Sequence, residues 1–490
     1  MKVKNTISIA ICFFVIAQTC SWAQGTITPV SGFGTNPGSL NMYTYIPNGL
    51  TGPAPLVIAM HGCTQSASIY AAQTGWNKLA DLHKFYVVYP EQITANNGSK
   101  CFNWFDPNDV NKNQGEALSV KQMVDYMIAN HSIDPSAIFA TGLSAGAAMT
   151  VVMLADYPEI FNKGAVMAGV PYKAATSSLN AYTAMNGGVT KTPTQWGDLV
   201  RNQNLSYSGS QPHMAIFHGT QDFTVNIANA TELIKQWTNV NGADQTVDST
   251  FTSFQGNSAV EKTVYTDNSN TPVVEYYKIT AMGHAISLDT GACPRQGGAT
   301  GTYASEKNFH STYWAAKFFN ILTSPYTVNG LIQVPVSATN IVYSVTSTPG
   351  STYAWAVPAG ATIASGQGTS SITVNFGSTS GYVNVTETAS GNCINEGAEL
   401  YIDVSITSNI NSFKRDNNFI YINENGTILS SLDLNELKAV TIYNTIGQVV
   451  RHSYSVQENR INLSSGLKTG VYIVHISIAQ KLYTLKMTVY

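Results

Sequence analysis

The stretch that most limits what this chain can fold into spans residues 137–157. An apolar run, Ala137-Ile138-Phe139-Ala140, leads into Gly142-Leu143-Ser144-Ala145-Gly146, and a helix-like run continues over 145–157. Strand, tight turn and helix is the setting in which G-x-S-x-G lifts a serine off the end of a buried strand. The two glycines remove side chains that would collide in so sharp a turn. The helix start leaves backbone N–H groups free to face a developing oxyanion. With 39 glycines in the chain the pentapeptide alone is a weak signal, and its setting is what gives it weight.

The same alternation extends on both sides. Residues 56–60, 85–89, 164–168 and 214–217 are continuous apolar runs, as in strands buried on both faces. Pro90 closes the second of them, and 273–279 reads as a further strand. Residues 114–130 read as a helix with Ala117, Val120, Met123, Val124 and Met127 on one face. Helices are also expected over 226–240 and 306–322. Strands alternating with helices predict an α/β domain over 24–324, a mostly parallel sheet covered on both faces.

Beyond 324 the texture changes. Residues 325–407 are rich in Ser, Thr, Gly and Val, with short alternating runs such as 371–376 and 382–385, and read as a β-sandwich. Trp355 is read as core there rather than as an exposed ligand platform. A polar linker over 408–415 leads to a second all-β segment, 416–490, whose strands are broken by glycine turns.

The first 23 residues read as a signal peptide. Lys2 and Lys4 precede a short apolar run, and Ser21-Trp22-Ala23 is a small-x-small cleavage site. The run is too short to span a bilayer, and no other stretch qualifies. Export leaves Cys63, Cys101, Cys293 and Cys393 in an oxidising compartment, where four cysteines allow three pairings. A net charge of −3 without a Lys/Arg block leaves no electrostatic footprint for nucleic acid.

Two later segments complete a catalytic set. His218-Gly219-Thr220-Gln221-Asp222 follows one apolar strand, and Ala281-Met282-Gly283-His284 follows another. The chain order Ser144, Asp222, His284 is that of α/β-hydrolases, and in a parallel sheet such loops converge at one edge. A serine hydroxyl is a weak nucleophile at neutral pH. His284 would take its proton and return it to the leaving group, while Asp222 would hold the imidazole tautomer. His61-Gly62-Cys63 ends the strand 56–60, which makes the backbone N–H groups of Cys63 and Ala145 the candidate oxyanion donors. No metal is expected, because Gln114 and Val120 stand in the 109–120 segment where a calcium loop needs Gly and Glu.

Taken together, His61-Gly62-Cys63-Thr64-Gln65, Cys101-Phe102-Asn103-Trp104-Phe105, Gly142-Leu143-Ser144-Ala145-Gly146-Ala147-Ala148-Met149, Ala168-Gly169-Val170-Pro171-Tyr172 and His218-Gly219-Thr220-Gln221-Asp222 resemble the poly(3-hydroxybutyrate) depolymerase-family esterases, relatives of carbohydrate esterase family 1. The resemblance implies an α/β-hydrolase fold, secretion, and hydrolysis of polymeric or oligomeric esters without a cofactor, by a chain expected to be monomeric. It also implies a Cys63–Cys101 disulfide, with Trp104 and His61 as candidate substrate contacts. Cys293 and Cys393 have no counterpart in it and are left open between pairing with each other and remaining free. The segment 416–490 resembles the C-terminal sorting domain of the type IX secretion system, so that machinery is an expected partner. The alternatives are a feruloyl or acetylxylan esterase and, from a different class, a catalytically inactive surface-binding protein.

Overall fold

The computed structural model describes residues 25–391 and 393–405, and strand segments between 411 and 489. The expected signal peptide, and residues 445–448 and 464–469 of the segment read as glycine-broken strands, lie outside the described residues. The chain forms two units. One runs to Tyr326 and includes Thr348–Thr352 and Thr386–Gly397, and the other holds Thr327–Ser347, Tyr353–Val385 and Ala398–Tyr490.

The first unit is built on a ten-stranded sheet. Its strands in chain order are β1 (Thr28–Val30), β2 (Asn41–Tyr45), β3 (Ala54–Met60), β4 (Tyr86–Glu91), β5 (Ile133–Leu143), β6 (Lys163–Met167), β7 (His213–Gly219), β8 (Ser249–Phe251), β9 (Val260–Thr266) and β10 (Pro272–Ile279). The spatial order is β1-β2-β4-β3-β5-β6-β7-β10-β9-β8. The six strands β4, β3, β5, β6, β7 and β10 are parallel, and antiparallel strands flank them on both sides.

Period-two alternation explains why the central strands read as unbroken apolar runs. Leu56, Ile58 and Met60 of β3 enter one core, and Val57 and Ala59 enter the other. Met214 and Ile216 of β7 split from Ala215 and Phe217 in the same way. Helices α4 (Gly115–Asn130), α5 (Ala145–Asp156), α6 (Ser178–Met185), α7 (Pro193–Arg201) and α8 (Ala228–Val240) add residues to the first core. Helices α1 (Ala67–Thr74), α2 (Trp76–His83) and α9 (Ser311–Phe319) add theirs to the second. The short helix α3 (Pro107–Val110) lies between β4 and α4 in sequence. Each face of the sheet is therefore dry, and every side chain on the parallel strands must be apolar or individually satisfied.

Two elements differ from the sequence reading. Pro90 does not close β4, which runs on to Glu91. Pairing of β4 with β3 ends at Val88, so the N–H that proline lacks is not needed on that side. The helix expected over 306–322 begins only at Ser311. Ala304–Glu306 instead pairs with Ile286–Leu288, and Asn308 turns left-handed with φ 50° while its amide donates to the Glu306 carboxylate.

The second unit is all β. One sheet runs Gln333–Pro335, Ala398–Ser405, Gly381–Ala389, Thr352–Ala356, and a three-stranded sheet runs Ile341–Ser344, Ser371–Asn375, Thr362–Ser365. Trp355 is buried and its indole N–H donates to the Thr369 carbonyl at 2.8 Å, so it is core as read. In the tail, Leu437–Asn444, Gly470–Ile478 and Lys481–Val489 form an antiparallel sheet with Val449–Val450. Asn411–Arg415, read as part of the linker, is a strand paired with Asn418–Ile422.

Cys293 is joined to Cys393, which brings a segment 100 residues away into the first unit. Around this bond Glu396 takes Lys317 at 2.7 Å and the Tyr313 hydroxyl, and Arg295 donates to the Asn395 carbonyl at 2.9 Å. The Lys78 ammonium donates to the carbonyls of Gly291, Cys293 and Gln296 and holds the other side of the bond. Closing so long a loop restricts the unfolded chain, so replacing both Cys293 and Cys393 by Ser is expected to lower stability by about 2–4 kcal/mol. Denaturant titration of the two proteins checks this, and coincident midpoints would refute it.

Candidate active site

The register of the parallel strands decides where the functional loops emerge. Leu143 lies beside Met167, Met167 beside Phe217, and Phe217 beside Tyr277, so four strands share one row, at which β5 and β6 end and beyond which β7 and β10 run two residues further. Met60 of β3 lies beside Gly142, one step short of the row. Ser144, Asp222, His284 and the loop 61–65 therefore all leave the same edge of the sheet.

Ser144 stands at the sharpest point of that edge. Its backbone has φ 58° and ψ −119°, a strained conformation for any residue with a Cβ. Neighbouring bonds hold it there, because its N–H donates to the Met167 carbonyl and its carbonyl accepts from Ala148, both at 2.9 Å. The flanking glycines are sterically required. A Cβ on Gly142 would lie 2.3 Å from the Gly146 carbonyl oxygen, and one on Gly146 would lie 2.2 Å from that of Met60.

The loop after β3 is tied down from several directions. Gly62 N–H donates to Gln65 Oε1 at 2.8 Å, and Thr64 N–H to the Ser99 carbonyl at 2.7 Å. Between them the Cys63 amide has no acceptor among the described residues, and Ala145, first residue of α5, has none within its helix. Cys63 is bonded to Cys101, and both face a cleft of about 250 Å³ together with Ser144, Ala145 and Trp104. Ala148 of α5 and Ala181 and Met185 of α6 add a mostly apolar wall to the same cleft.

His61 is not on that wall. It is fully buried, its Nδ1 lies 2.7 Å from the Gly62 carbonyl oxygen, and its Nε2 accepts from the Gln92 amide at 3.0 Å. With both nitrogens engaged it cannot contact a substrate, which corrects the expectation that it does. Burial lowers its pKa, which suits a neutral ring holding the loop from below.

Asp222 and His284 are brought into direct contact, Oδ2 to Nδ1, at 2.8 Å. Their loops are stitched together, since Thr220 N–H donates to the Ile279 carbonyl, Gln221 N–H to that of Met282, and Ala281 N–H to the Thr220 hydroxyl, each at 2.9 Å. The second carboxylate oxygen of Asp222 accepts the amides of Thr224 and Val225 at 2.9 and 2.8 Å. Burial by itself would raise the Asp222 pKa. Contacts from His218 and His284, the charge of protonated His284 and the Val225 amide outweigh it, and hold the carboxyl well below the usual range. Among the described residues no cluster of His, Cys, Asp and Glu fits a metal ion.

His218 lies in the motif that carries Asp222 but has no sequence signal of its own, and nothing local in the sequence marks α6 as a wall of the cleft. The Thr192-Pro193-Thr194-Gln195 capping box marks the start of α7, but the apolar side chains of α6 carry no mark that separates a cleft wall from ordinary core.

A twisted, mostly parallel sheet covered on both faces, with a strand–turn–helix serine at its carboxyl edge, is an α/β-hydrolase. Residues 40–261 match the esterase PHB depolymerase family, 321–404 a PKD-like domain and 417–490 a secretion system C-terminal sorting domain. Over 308 residues the chain is 49% identical to poly(3-hydroxyalkanoate) depolymerase C of Paucimonas lemoignei, covering 63% of this chain and 73% of that one. It is 32% identical over 283 residues to feruloyl esterase B of Talaromyces stipitatus, covering 56% and 76% respectively. A solved acetyl xylan esterase from Aspergillus awamori is 31% identical with a TM-score of 0.49, covering 53% of this chain and 94% of that one. The chain belongs to the PHB depolymerase family of esterases, and it carries a C-terminal sorting domain for export.

The Asp222 shift has a definite sign. Its folded pKa lies below the value of about 3.9 expected when unfolded. The stability it contributes is full above that value and is lost as pH falls through the folded pKa. Wild type should therefore lead Asp222→Asn in Tm at pH 6, with the gap closing progressively below pH 4. A gap that stays constant across pH would contradict the ion-pair geometry.

Proposed function

We propose that the chain is a secreted serine esterase that cleaves polymeric or oligomeric hydroxyalkanoate esters through an acyl-enzyme on Ser144. The observation that carries this reading is the 2.8 Å Asp222–His284 contact at the sheet edge that also bears Ser144 in its strained turn. His284 Nε2 takes the Ser144 proton as Oγ attacks the ester carbonyl, and the Cys63 and Ala145 amides receive the negative charge on the carbonyl oxygen. His284 then protonates the leaving alcohol. In the second half-reaction it activates water, which releases the hydroxyacid and restores Ser144. Asp222 keeps Nδ1 protonated and stabilises the imidazolium throughout.

The cleft supports an aliphatic acyl unit. Its volume of about 250 Å³ equals about eight water molecules at liquid density. That admits a short hydroxyacyl group against Trp104, Ala148 and Met185, while the remaining polymer crosses the mouth. The 49% identity to a depolymerase points the same way. In this reading the enzyme acts as a monomer, the α/β-hydrolase occupies 24–324, and the β-sandwich over 325–407 joins it to an address over 416–490 read by the type IX machinery.

Ser144→Ala should keep its fold and lose about four orders of magnitude in turnover of p-nitrophenyl butyrate. Retention of a tenth of the activity in a pure sample would remove Ser144 from the role. Hydroxybutyrate oligomers should exceed methyl ferulate and acetylated xylan in kcat/KM, and a tenfold preference the other way would favour the polysaccharide esterase. Deleting 416–490 should leave catalysis intact and abolish release from a host with type IX secretion. Unchanged release would count against the tail as an address.

A further inference from the structure

Asp222 is served by two histidines, and only one of them belongs to the triad proposed above. His218, in β7, is fully buried, and its Nε2 lies 2.8 Å from the Val225 carbonyl oxygen. A carbonyl can only accept, so Nε2 carries a proton. Nδ1 is buried and has no partner among the described residues. The same Nε2 lies 3.4 Å from Asp222 Oδ2, the oxygen that receives His284.

An imidazole with an unpaired nitrogen is a costly choice at this position. The four preceding residues of β7 are Met214, Ala215, Ile216 and Phe217, all buried and apolar. A fifth apolar residue would suit the core better, so the reason for histidine lies in what its N–H reaches. It holds the Val225 carbonyl, the Val225 N–H holds Asp222 Oδ1, and Val225 itself faces the cleft. One donor therefore fixes the turn that carries the carboxylate and places positive potential beside Oδ2.

We propose that His218 is a positioning residue for the triad: its Nε2–H locks the 219–225 turn so that Asp222 Oδ2 meets His284 Nδ1. This rests on the reading of Asp222 as the triad acid. His218 touches no substrate, so its effect on turnover must pass through Asp222.

A double-mutant cycle on the full chain tests this, with p-nitrophenyl butyrate as probe. His218→Leu should lower kcat by about tenfold or more with KM changed less than threefold, while labelling by a fluorophosphonate still counts one site per chain. His218→Gln, whose amide N–H can reach the same carbonyl, should recover most of that loss. In an Asp222→Asn background His218→Leu should cost less than a further twofold, because the group it acts through is already gone. Equal losses in both backgrounds, or an unaltered kcat in His218→Leu, overturn the proposal. Wild-type turnover in Asp222→Asn alone would overturn the triad assignment first, and this proposal with it. Should His218→Leu fail to fold, ¹⁵N–¹H correlation on the wild-type protein decides. The Nε2–H tautomer supports the proposal, and an Nδ1–H tautomer overturns it.

Discussion

The site depends on the shared register of four parallel strands. Because Leu143, Met167, Phe217 and Tyr277 share a row, the residues just past them share an edge, although 134 positions separate Leu143 from Tyr277 in sequence. A slip of one residue in any pair would turn that strand's core side chains to the other face. The two dry cores therefore enforce the register, and the register sets the catalytic geometry.

Close backbone approach is the second constraint. Gly146 presses against the carbonyls of Met60 and His61, which brings the start of α5 up to the loop after β3. That contact sets the Ala145 and Cys63 amides on the same cleft. The Cys63–Cys101 bond and the Thr64–Ser99 hydrogen bond then fix the loop from its outer side. In the mechanism proposed above, a negative charge between the two amides would meet donors already in place, the preorganisation such a site needs.

The buried histidines show how one residue type divides its work. His61, His218 and His310 are each fully or almost fully buried, with a backbone carbonyl beside a ring nitrogen. Burial pushes the His310 pKa down to about 4, against the opposing pull of the Thr74 and Arg295 carbonyls beside its two ring nitrogens. His284 differs, with 10% of its side chain exposed and a carboxylate on Nδ1. The role proposed for His284 calls for a carboxylate partner and an exposed side, and the ring has both.

Much of this was legible in the chain itself. Continuous apolar runs marked the buried strands because period-two alternation vanishes when both faces are dry. G-x-S-x-G between a strand and a helix marked the turn at Ser144, and the order Ser144, Asp222, His284 pointed to the Asp222–His284 pair that the structure holds at 2.8 Å. Local sequence also marked Trp355 as core. The extent of α9 was not legible, because its start depends on Ala304–Glu306 finding Ile286–Leu288 across the fold. Nor was the burial of His61, the partnership of His218 with Val225, the bond from Cys293 to Cys393, or the use of α6 as a cleft wall. Periodicity and motifs report forces acting within a few residues of chain. Those other features are contacts between distant segments, and only the packed sheet decides which segments meet.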